Sequence, residues 1–263
     1  PEHLIRSVKY PTALWWAELL GSIEYTDTHA NIMRQSLMFN VHAYDHVFLH
    51  DESSISLVKS WGVKSVSFLP TAVANPDIQN KRDVKKIYDV TFVGQITPRR
   101  ELYLNALLKK VNVHVANVWD PEGLVLLFNQ SKIVLNIHLS ALLNLETRVG
   151  EVLGSGAFLL TEELSSPNLF RDGEHAVYAR ANDIDDMIRK IEYYLQHEEE
   201  RERIARQGYE YVHRYHKLTD RIQAMISTPI TKRPYVFWPD ALGVIKDEQG
   251  RETRNLLDFG SAS

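Results

Sequence analysis

The sequence has no cysteine among its 263 residues, which excludes disulfide bonds and thiolate metal sites. It also has no apolar run close to the about 20 residues that a membrane-spanning helix requires. The first residues do not show the basic segment, apolar core and cleavage site of a secretory signal peptide. From these three absences we expect a cytoplasmic protein without a transmembrane segment.

An excess of positive charge is also absent. Thirty Lys and Arg residues stand against 34 Asp and Glu residues, and the formal net charge is −4. This balance argues against a broad nucleic-acid-binding surface, although it leaves room for a local basic pocket. The 11 histidines are scattered. His42 and His46 have helical spacing but no evident third ligand, so we expect no metal site.

Stretches typical of strands and of helices alternate along the chain, which predicts an α/β fold with a mainly parallel sheet. In the first part, residues 12–18, 45–50 and 66–69 are predicted strands, and 53–61 is a predicted helix. Residues 75–88 are polar and lack apolar periodicity, which is typical of a linker. The first part therefore contains about half of a Rossmann-like domain.

The second part contains enough elements for a complete doubly wound domain. Its predicted strands are 89–94, 111–119, 133–139, 157–161 and 175–179, and its predicted helices are 98–110, 123–132, one beginning near Asn144, 182–197 and 198–216. We therefore predict four regions. They are a partial N-terminal domain at 1–74, a linker at 75–88, a nucleotide-binding domain at 89–227 and an extension at 228–263.

The carboxyl ends of the second set of strands are the expected ligand site, because open α/β sheets bind ligands at that edge. Three strand ends or helix starts should converge there. The residues that we expect at this edge are Gly94, Arg99, Arg100, Asn136, His138, Asn144 and Glu146. For His138 by itself, a hydrogen-bonded histidine at a strand end is favoured over a catalytic one.

The segment 144–162, NLETRVGEVLGSGAFLLTE, combines a helix start with two charged residues one turn apart. A helix N-terminus favours phosphate. Arg99, Arg100 and Arg148 can add charge-assisted hydrogen bonds to the phosphate, while Glu151 suits the diol of a ribose. Glycines at 154 and 156 would let the backbone approach the ligand. The alternative is a surface ion pair worth about 0.3–0.5 kcal/mol and a helix C-cap at Gly154, and spacing alone slightly favours it.

Two further candidates lie in the first part of the chain. Glu18 and His50 end predicted strands, so both are expected to face the cleft between the domains. A carboxylate at position 18 is suited to act as a base on an acceptor hydroxyl. A solvated strand end is an equally good interpretation of Glu18.

Five segments in order carry a resemblance to a known family: DVTFVGQITPRR, SKIVLNIHL, ETRVGEVLGSGAFLLTE, LFRDGEHAVYA and EEERERIARQGYEYVHRYH. Over about half of the chain, they resemble the C-terminal domain of GT-B glycosyltransferases, in particular the group similar to spore-maturation glycosyltransferases. TALWWAELLG, YDHVFLHDESS and VSFLPTAV are similar to the later half of that family's N-terminal domain. The resemblance implies two Rossmann-like domains, a nucleotide-sugar donor as substrate, and sugar transfer that needs no metal or other cofactor.

By position, the resemblance implies that Glu151 binds the donor ribose and that Arg148 is the arginine one turn before it. It matches Gly94 to the glycine that ends the first strand and either Arg99 or Arg100 to the basic residue that follows. The turn at 154–156 matches the one beside the nucleotide.

One departure separates the sequence from related retaining enzymes. Those enzymes have a second glutamate eight positions before the ribose-binding one, and Leu143 occupies that position here. Glu146 is the nearest carboxylate. Three functions therefore stay open. They are a glycosyltransferase with an unidentified acceptor, a non-catalytic binding or scaffold protein built on a degenerate glycosyltransferase fold, and a nucleotide-binding regulator without an acceptor site.

Overall fold

A computed structural model describes residues 2–17, 20, 28–71, 73–139, 141, 143, 145–165, 167–232, 245–246 and 252–253. The strands are β1 (Ala13–Trp16), β2 (His46–Leu49), β3 (Val66–Phe68), β4 (Tyr88–Val93), β5 (Val113–Ala116), β6 (Ser131–Asn136), β7 (Leu159–Glu162), β8 (Val177–Ala179), β9 (Ile245–Lys246) and β10 (Glu252–Thr253). The helices are α1 (Glu2–Ser7), α2 (Thr28–Asn40), α3 (Ser54–Ser60), α4 (Pro98–Leu107), α5 (Pro121–Asn129), α6 (Thr147–Gly154), α7 (Ile184–Gln196), α8 (Glu198–Tyr215) and α9 (Leu218–Ser227).

The first part of the chain forms a three-stranded parallel sheet in the order β1-β2-β3. All four residues of β2 are buried. Val47 and Leu49 join Val58 of α3 in a compact apolar cluster, so the helix covers one face of this sheet. The strand–helix–strand pattern predicted for residues 45–69 is confirmed.

The second sheet is parallel throughout and has the order β5-β4-β6-β7-β8. Apolar clusters cover both of its faces. One face packs against α4, α7 and part of α8, and the other packs against α5, α6 and the end of α8. This confirms the predicted α/β doubly wound architecture. Because β5 and β6 flank β4, the crossovers diverge between β4 and β6, and this switch point is where such folds bind ligands.

Local capping explains where three of these helices begin. The side chains of Thr97, Asp120 and Asp183 accept hydrogen bonds from backbone N–H groups at the starts of α4, α5 and α7. Proline in the first turn of α4 and of α5 removes an N–H that would have had no helical partner. The helix predicted at 182–197 is confirmed as α7, with Asp183 as its N-cap residue.

The structure also corrects some boundaries. The predicted helix 123–132 ends at Asn129, because Ser131 already pairs with Tyr88 in the sheet. The Asn129 side chain donates to the carbonyl of Ser155 and accepts from the N–H of Arg82. These two contacts fix the position of the chain where the helix ends. The sequence patterns predict neither α1 nor α2.

The two sheets lie on either side of the predicted 75–88 linker, with β4 beginning one residue inside it. The segment that follows α8 forms hydrogen bonds with the residues that follow β3. Ala74 donates to the carbonyl of His216 at 2.9 Å and accepts from the N–H of Leu218 at 2.9 Å. Arg221 donates to the carbonyl of Pro70 at 3.0 Å and to Nδ1 of His216 at 2.6 Å.

His216 can accept that bond only while Nδ1 is unprotonated. Burial, assisted by the charge of Arg221, lowers the pKa of His216 to about 4, so the neutral form persists at physiological pH. None of the helices in the described part of the chain is long and apolar enough to span a membrane.

Replacing Gly208 by alanine should destabilise the protein. A Cβ at this position of α8 would lie 2.3 Å from the carbonyl oxygen of His175 and 2.9 Å from Cδ2 of Leu153. Alanine gains about 1 kcal/mol of helix propensity over glycine, but overpacking costs about 1–3 kcal/mol. Because the nearest atom belongs to the backbone, we expect the steric cost to win, which urea unfolding would measure. Arg206→Ala, at an exposed position of the same helix, is the control, and a Gly208→Ala protein of higher stability would contradict the packing described.

Candidate functional site

Two consecutive arginines at the start of α4 reach across the carboxyl edge of the second sheet. Nε of Arg100 donates to the carbonyl of Ile137 at 2.8 Å, and its Nη1 donates to the carbonyl of Gln95 at 3.2 Å. Nη1 of Arg99 donates to the carbonyl of His138 at 2.9 Å. The ends of β4 and β6 therefore lie together at the switch point, as the sequence predicts. Asn144 lies outside the described residues.

Gly94 makes the turn at the end of β4 possible. Its φ of +152° is one that other residues rarely adopt. An added Cβ would also lie 3.4 Å from Nη1 of Arg100 and 3.5 Å from the ring of Phe92. Glycine at this position therefore gives the Arg100 guanidinium room beneath the loop.

A buried carboxylate that sequence reasoning missed organises this edge. Glu162, at the end of β7, is fully buried. It accepts from Arg99 at 2.8 and 2.5 Å, from the hydroxyl of Tyr103 at 2.7 Å, and from the N–H groups of His138 at 2.8 Å and Asn182 at 3.2 Å. Burial raises the pKa of a carboxyl group, but these donors outweigh it and hold the pKa of Glu162 below its usual value. The available signal was a charged residue directly after the apolar strand AFLLT.

The contacts of Arg99 give it a positioning role. Besides Glu162 and the His138 carbonyl, its guanidinium donates to Tyr103 at 3.2 Å and to the side chain of Asn182 at 2.9 Å. Asn182 adopts a φ of +61°, a left-handed conformation that asparagine tolerates better than most residues. Because both terminal nitrogens are occupied, the predicted contact between Arg99 and a phosphate has no support from this geometry.

Arg100 and His138 face a second carboxylate, that of Glu146, immediately before α6. Oε2 of Glu146 lies 3.7 Å from Nη2 of Arg100, and Oε1 lies 3.7 Å from Nδ1 of His138. Oε1 also accepts from the N–H of Leu139 at 3.3 Å. Burial disfavours both charges, but their attraction outweighs it, so the pKa of Glu146 is lowered and that of His138 is raised.

Arg148 and Glu151 form an ion pair on the first two turns of α6. Nη1 of Arg148 donates to Oε2 of Glu151 at 2.7 Å, and the guanidinium lies over the ring of Phe128 at 5.3 Å. The side chains are 17% and 29% exposed, respectively, so a ligand at this edge can reach both. The ion pair that was the alternative interpretation of this segment is present. The contacts of Arg148 and Glu151 with a ligand stay a prediction.

The glycines at 154 and 156 lie at the other end of α6, away from the carboxyl edge. A Cβ on Gly154 would lie 2.8 Å from Cβ of Ala74, and one on Gly156 would lie 2.9 Å from Cβ of Lys81. Gly156 also has a φ of +71°. Both glycines are needed because the chain packs closely against residues 74–81 at these positions. The predicted approach of this turn to a nucleotide has no geometric support.

The other predicted residues are distributed more widely. Asn136 is buried and donates to Oγ1 of Thr161 within the sheet at 3.0 Å, so it does not face the edge. His50 is buried at the end of β2 in the first sheet. Glu18 lies outside the described residues. In the described part of the chain, no group of three or more His, Asp or Glu side chains is placed to hold a metal ion.

A cleft of about 290 Å³ opens beside this edge, between the ends of β4 and β5. It is lined by Gly94, Gln95, Ile96, Val115, Ala116, Asn117 and Trp119. The indole of Trp119 is 72% exposed, which is unusual for so large an apolar side chain. Trp119 is not among the predicted site residues, although it is the last residue of the strand predicted at 111–119 and so lies at the carboxyl edge.

Comparison with known proteins identifies the family. Residues 78–227, more than half of the chain, match the model of the glycosyl transferase-like family, and the protein belongs to that family. The finer grouping with spore-maturation glycosyltransferases stays a prediction. No curated protein matches the sequence.

Solved structures share the fold at low sequence identity. Anabaena Alr3699/HepE, in complex with UDP and glucose, is 10% identical and has a TM-score of 0.65 over 82% of this chain and 70% of that one. An alpha-glucosyltransferase in complex with UDP and a DNA 13-mer is 10% identical, with a TM-score of 0.64 over 86% and 74%. Sucrose-phosphate synthase from Thermosynechococcus elongatus is 12% identical, with a TM-score of 0.57 over 85% and 68%. The fold is that of the GT-B glycosyltransferases.

Neutralising Glu162 should destabilise the protein in a pH-dependent way. Glu162→Gln leaves the partly buried Arg99 without its counter-charge, which we expect to cost about 3 kcal/mol at pH 7. Because the folded-state pKa is lowered, the carboxylate stabilises the fold above its unfolded pKa of about 4.3. This contribution is lost as the pH falls through the folded value.

Chemical denaturation of wild type and variant between pH 7 and pH 3 would measure this difference. We expect the two stabilities to converge toward the acidic end. The neighbouring, exposed Glu163 supplies the control, since Glu163→Gln should change stability by less than about 0.5 kcal/mol. A constant difference across the pH range would show that Glu162 does not act through its charge.

Proposed function

We propose that this protein is a glycosyltransferase that moves a sugar from a nucleoside diphosphate sugar to an acceptor hydroxyl, without a metal in the transfer step. The observation that carries the proposal is the placement of the α6 N-terminus, with Arg148 and Glu151, at the switch point between β4 and β6. This edge lies within the region that matches the family. A helix N-terminus beside cationic side chains is a site for phosphate groups.

UDP sugars are the first donors to consider. Anabaena Alr3699/HepE was solved with UDP and glucose and separately with UDP-glucose, and the alpha-glucosyltransferase was solved with UDP. All three structures share the fold of this chain. Shared fold alone does not select a sugar or a base, because one fold carries many substrates.

The edge divides naturally into three subsites. The diphosphate lies against the start of α6, where Arg148 supplies a charge-assisted hydrogen bond. Glu151, one turn further along, accepts hydrogen bonds from the ribose diol and would be repelled by the phosphates if it lay beside them. The cleft beside Trp119 offers a flat aromatic face and the amide of Asn117 to a nucleobase.

In the proposed transfer, the acceptor oxygen bonds to the anomeric carbon as the bond from that carbon to the diphosphate oxygen breaks. The electron pair of the broken bond leaves with the diphosphate, whose growing charge the helix N-terminus and the cations stabilise. The proton of the acceptor hydroxyl passes to a base. Glu18 stays the prediction for that base.

A nucleotide-binding or scaffold protein without transferase activity is the second candidate. Leu143 supports it, because this exposed side chain occupies the position where related retaining enzymes have a glutamate. The engagement of Arg99 with Glu162 removes one further cation from the donor site. Thermal shifts with a panel of nucleotides, followed by UDP-sugar hydrolysis assays, would separate the candidates: binding without turnover favours the scaffold.

Removing either member of the α6 ion pair should weaken UDP binding and leave the fold intact. We expect Arg148→Ala and Glu151→Ala each to raise the Kd for UDP by about tenfold, a loss of 1.4 kcal/mol. Each variant should lose about 0.5 kcal/mol of folding stability, which is what a partly exposed ion pair contributes. Isothermal titration calorimetry and thermal unfolding would measure the two quantities.

The chain supplies a matched control for this experiment. Arg171 and Glu174 form an ion pair with the same spacing at an exposed site, with 3.2 Å between Nη1 and Oε2. Arg171→Ala and Glu174→Ala should leave UDP binding unchanged. Unchanged affinity in the two α6 variants as well would refute the assigned donor site.

Trp119→Ala should weaken UDP binding without a comparable effect on inorganic pyrophosphate. Stacking of a base on an aromatic side chain contributes about 1–3 kcal/mol, so the Kd for UDP should rise by at least about fivefold. Competition titrations with the two ligands would measure this. Tyr10, which is 71% exposed, provides Tyr10→Ala as the control, and equal losses for both ligands would argue against a base in this cleft.

A further inference from the structure

Two cationic side chains face the Glu146 carboxylate without reaching it. Both separations, to Nη2 of Arg100 and to Nδ1 of His138, are 3.7 Å. N–H···O hydrogen bonds are about 2.7–3.2 Å long, so these contacts are ion pairs that stop short of hydrogen bonds. Among the described residues, the hydrogen bond that this carboxylate accepts comes from the N–H of Leu139, at 3.3 Å.

The protonation of His138 follows from its other contact. Nε2 lies 2.7 Å from the carbonyl oxygen of Glu163, which can only accept, so Nε2 carries a proton. A neutral ring would then present a bare Nδ1 toward the Glu146 carboxylate, and two acceptors would repel each other. The raised pKa of His138 agrees with a second proton on Nδ1.

This second N–H is a buried donor without a bond. His138 is 1% exposed, and its Nδ1 has no hydrogen-bond partner among the described residues. A buried polar group left unsatisfied costs about 1–3 kcal/mol. An anion whose oxygens reach further than the Glu146 carboxylate would recover that free energy.

We propose that Arg100, His138 and the N–H of Leu139 form a phosphate subsite that Glu146 occupies in the ligand-free protein. The diphosphate of the donor displaces the Glu146 carboxylate and takes over both cations. This inference rests on the proposed function, because it assigns two residues of the same edge to the diphosphate. It also makes Glu146 a competitor of the donor and not a contact to its sugar.

The surroundings of Glu146 permit this exchange. Glu146 occupies the N-cap position of α6, yet in the described part of the chain its side chain makes no capping hydrogen bond. The side chain is 14% exposed, so an outward rotation takes it toward solvent. Leu139 and Leu143 in the preceding segment are also exposed, each at 40%.

The sign of one mutational effect separates the two roles of Glu146. If the carboxylate contacts the donor, Glu146→Gln weakens binding. If it competes with the diphosphate, the same variant lowers the Kd for UDP, and we expect a decrease of about tenfold. Calorimetric titrations would be run from pH 7 down to pH 5, because removal of the Glu146 charge leaves burial to lower the pKa of His138. The gain in affinity should be largest at the acidic end, where His138 is charged.

Two further variants complete the test. Glu174→Gln removes the same charge at an exposed site and should leave the Kd for UDP within about twofold of wild type, which controls for net charge. His138→Gln should weaken UDP binding. Combined with Glu146→Gln, it should abolish the gain in affinity, because both residues act on the same phosphate oxygens.

The outcomes differ for the inference and for the function on which it rests. Tighter UDP binding by Glu146→Gln that disappears in the double variant supports the competing carboxylate. Unchanged or weaker binding by a folded Glu146→Gln protein at the acidic end of this pH range, while the wild type binds UDP, overturns this inference alone. A wild-type protein that binds neither UDP nor other nucleoside diphosphates overturns the proposed function, and the inference with it.

Discussion

The carboxylate of Glu162 is the constraint on which the rest of the site depends. It is fully buried, and its partners come from the first turns of α4, the end of β6 and the residue pair before α7. An uncompensated buried charge is very unfavourable, so these segments must keep their positions for the fold to tolerate it. The carboxyl edge of the sheet is therefore held rigid by one side chain that contacts no proposed ligand.

The same carboxylate divides the cations of the edge into two groups. Arg99 forms an ion pair with the buried Glu162 and has a structural role. Arg100 and His138 are opposed by Glu146, and Arg148 is opposed by Glu151, in both cases by carboxylates at or near the surface. Each cation of this second group thus has a local partner, so the affinity for the proposed diphosphate would be the difference between two sets of ion pairs.

The architecture of the second domain was predictable because its signals are local. Continuous apolar runs identify β6 and β7, and capping residues mark the helix starts. A topological rule then brings Arg100, His138 and Glu146 to one edge. None of these steps requires knowledge of a specific long-range side-chain contact.

The contacts that could not be predicted are those between residues far apart in the sequence. Glu162 and Arg99 are separated by 63 positions, and nothing periodic links them. The Gly154 turn illustrates the opposite difficulty. A glycine needed for packing against Ala74 has the same local pattern as one needed for ligand approach, and only the path of the linker distinguishes them.

Energetics favour a ligand-binding role for the second group of cations. Partly exposed ion pairs such as Arg148–Glu151 contribute only about 0.3–0.5 kcal/mol to stability. Buried ionic groups can often be replaced by apolar residues without loss of stability. A scaffold would gain little from keeping an unsatisfied N–H on His138 and an incompletely bonded Glu146 at this edge. A protein that binds a diphosphate gains directly, because the proposed ligand satisfies the groups that the ligand-free protein leaves without hydrogen bonds.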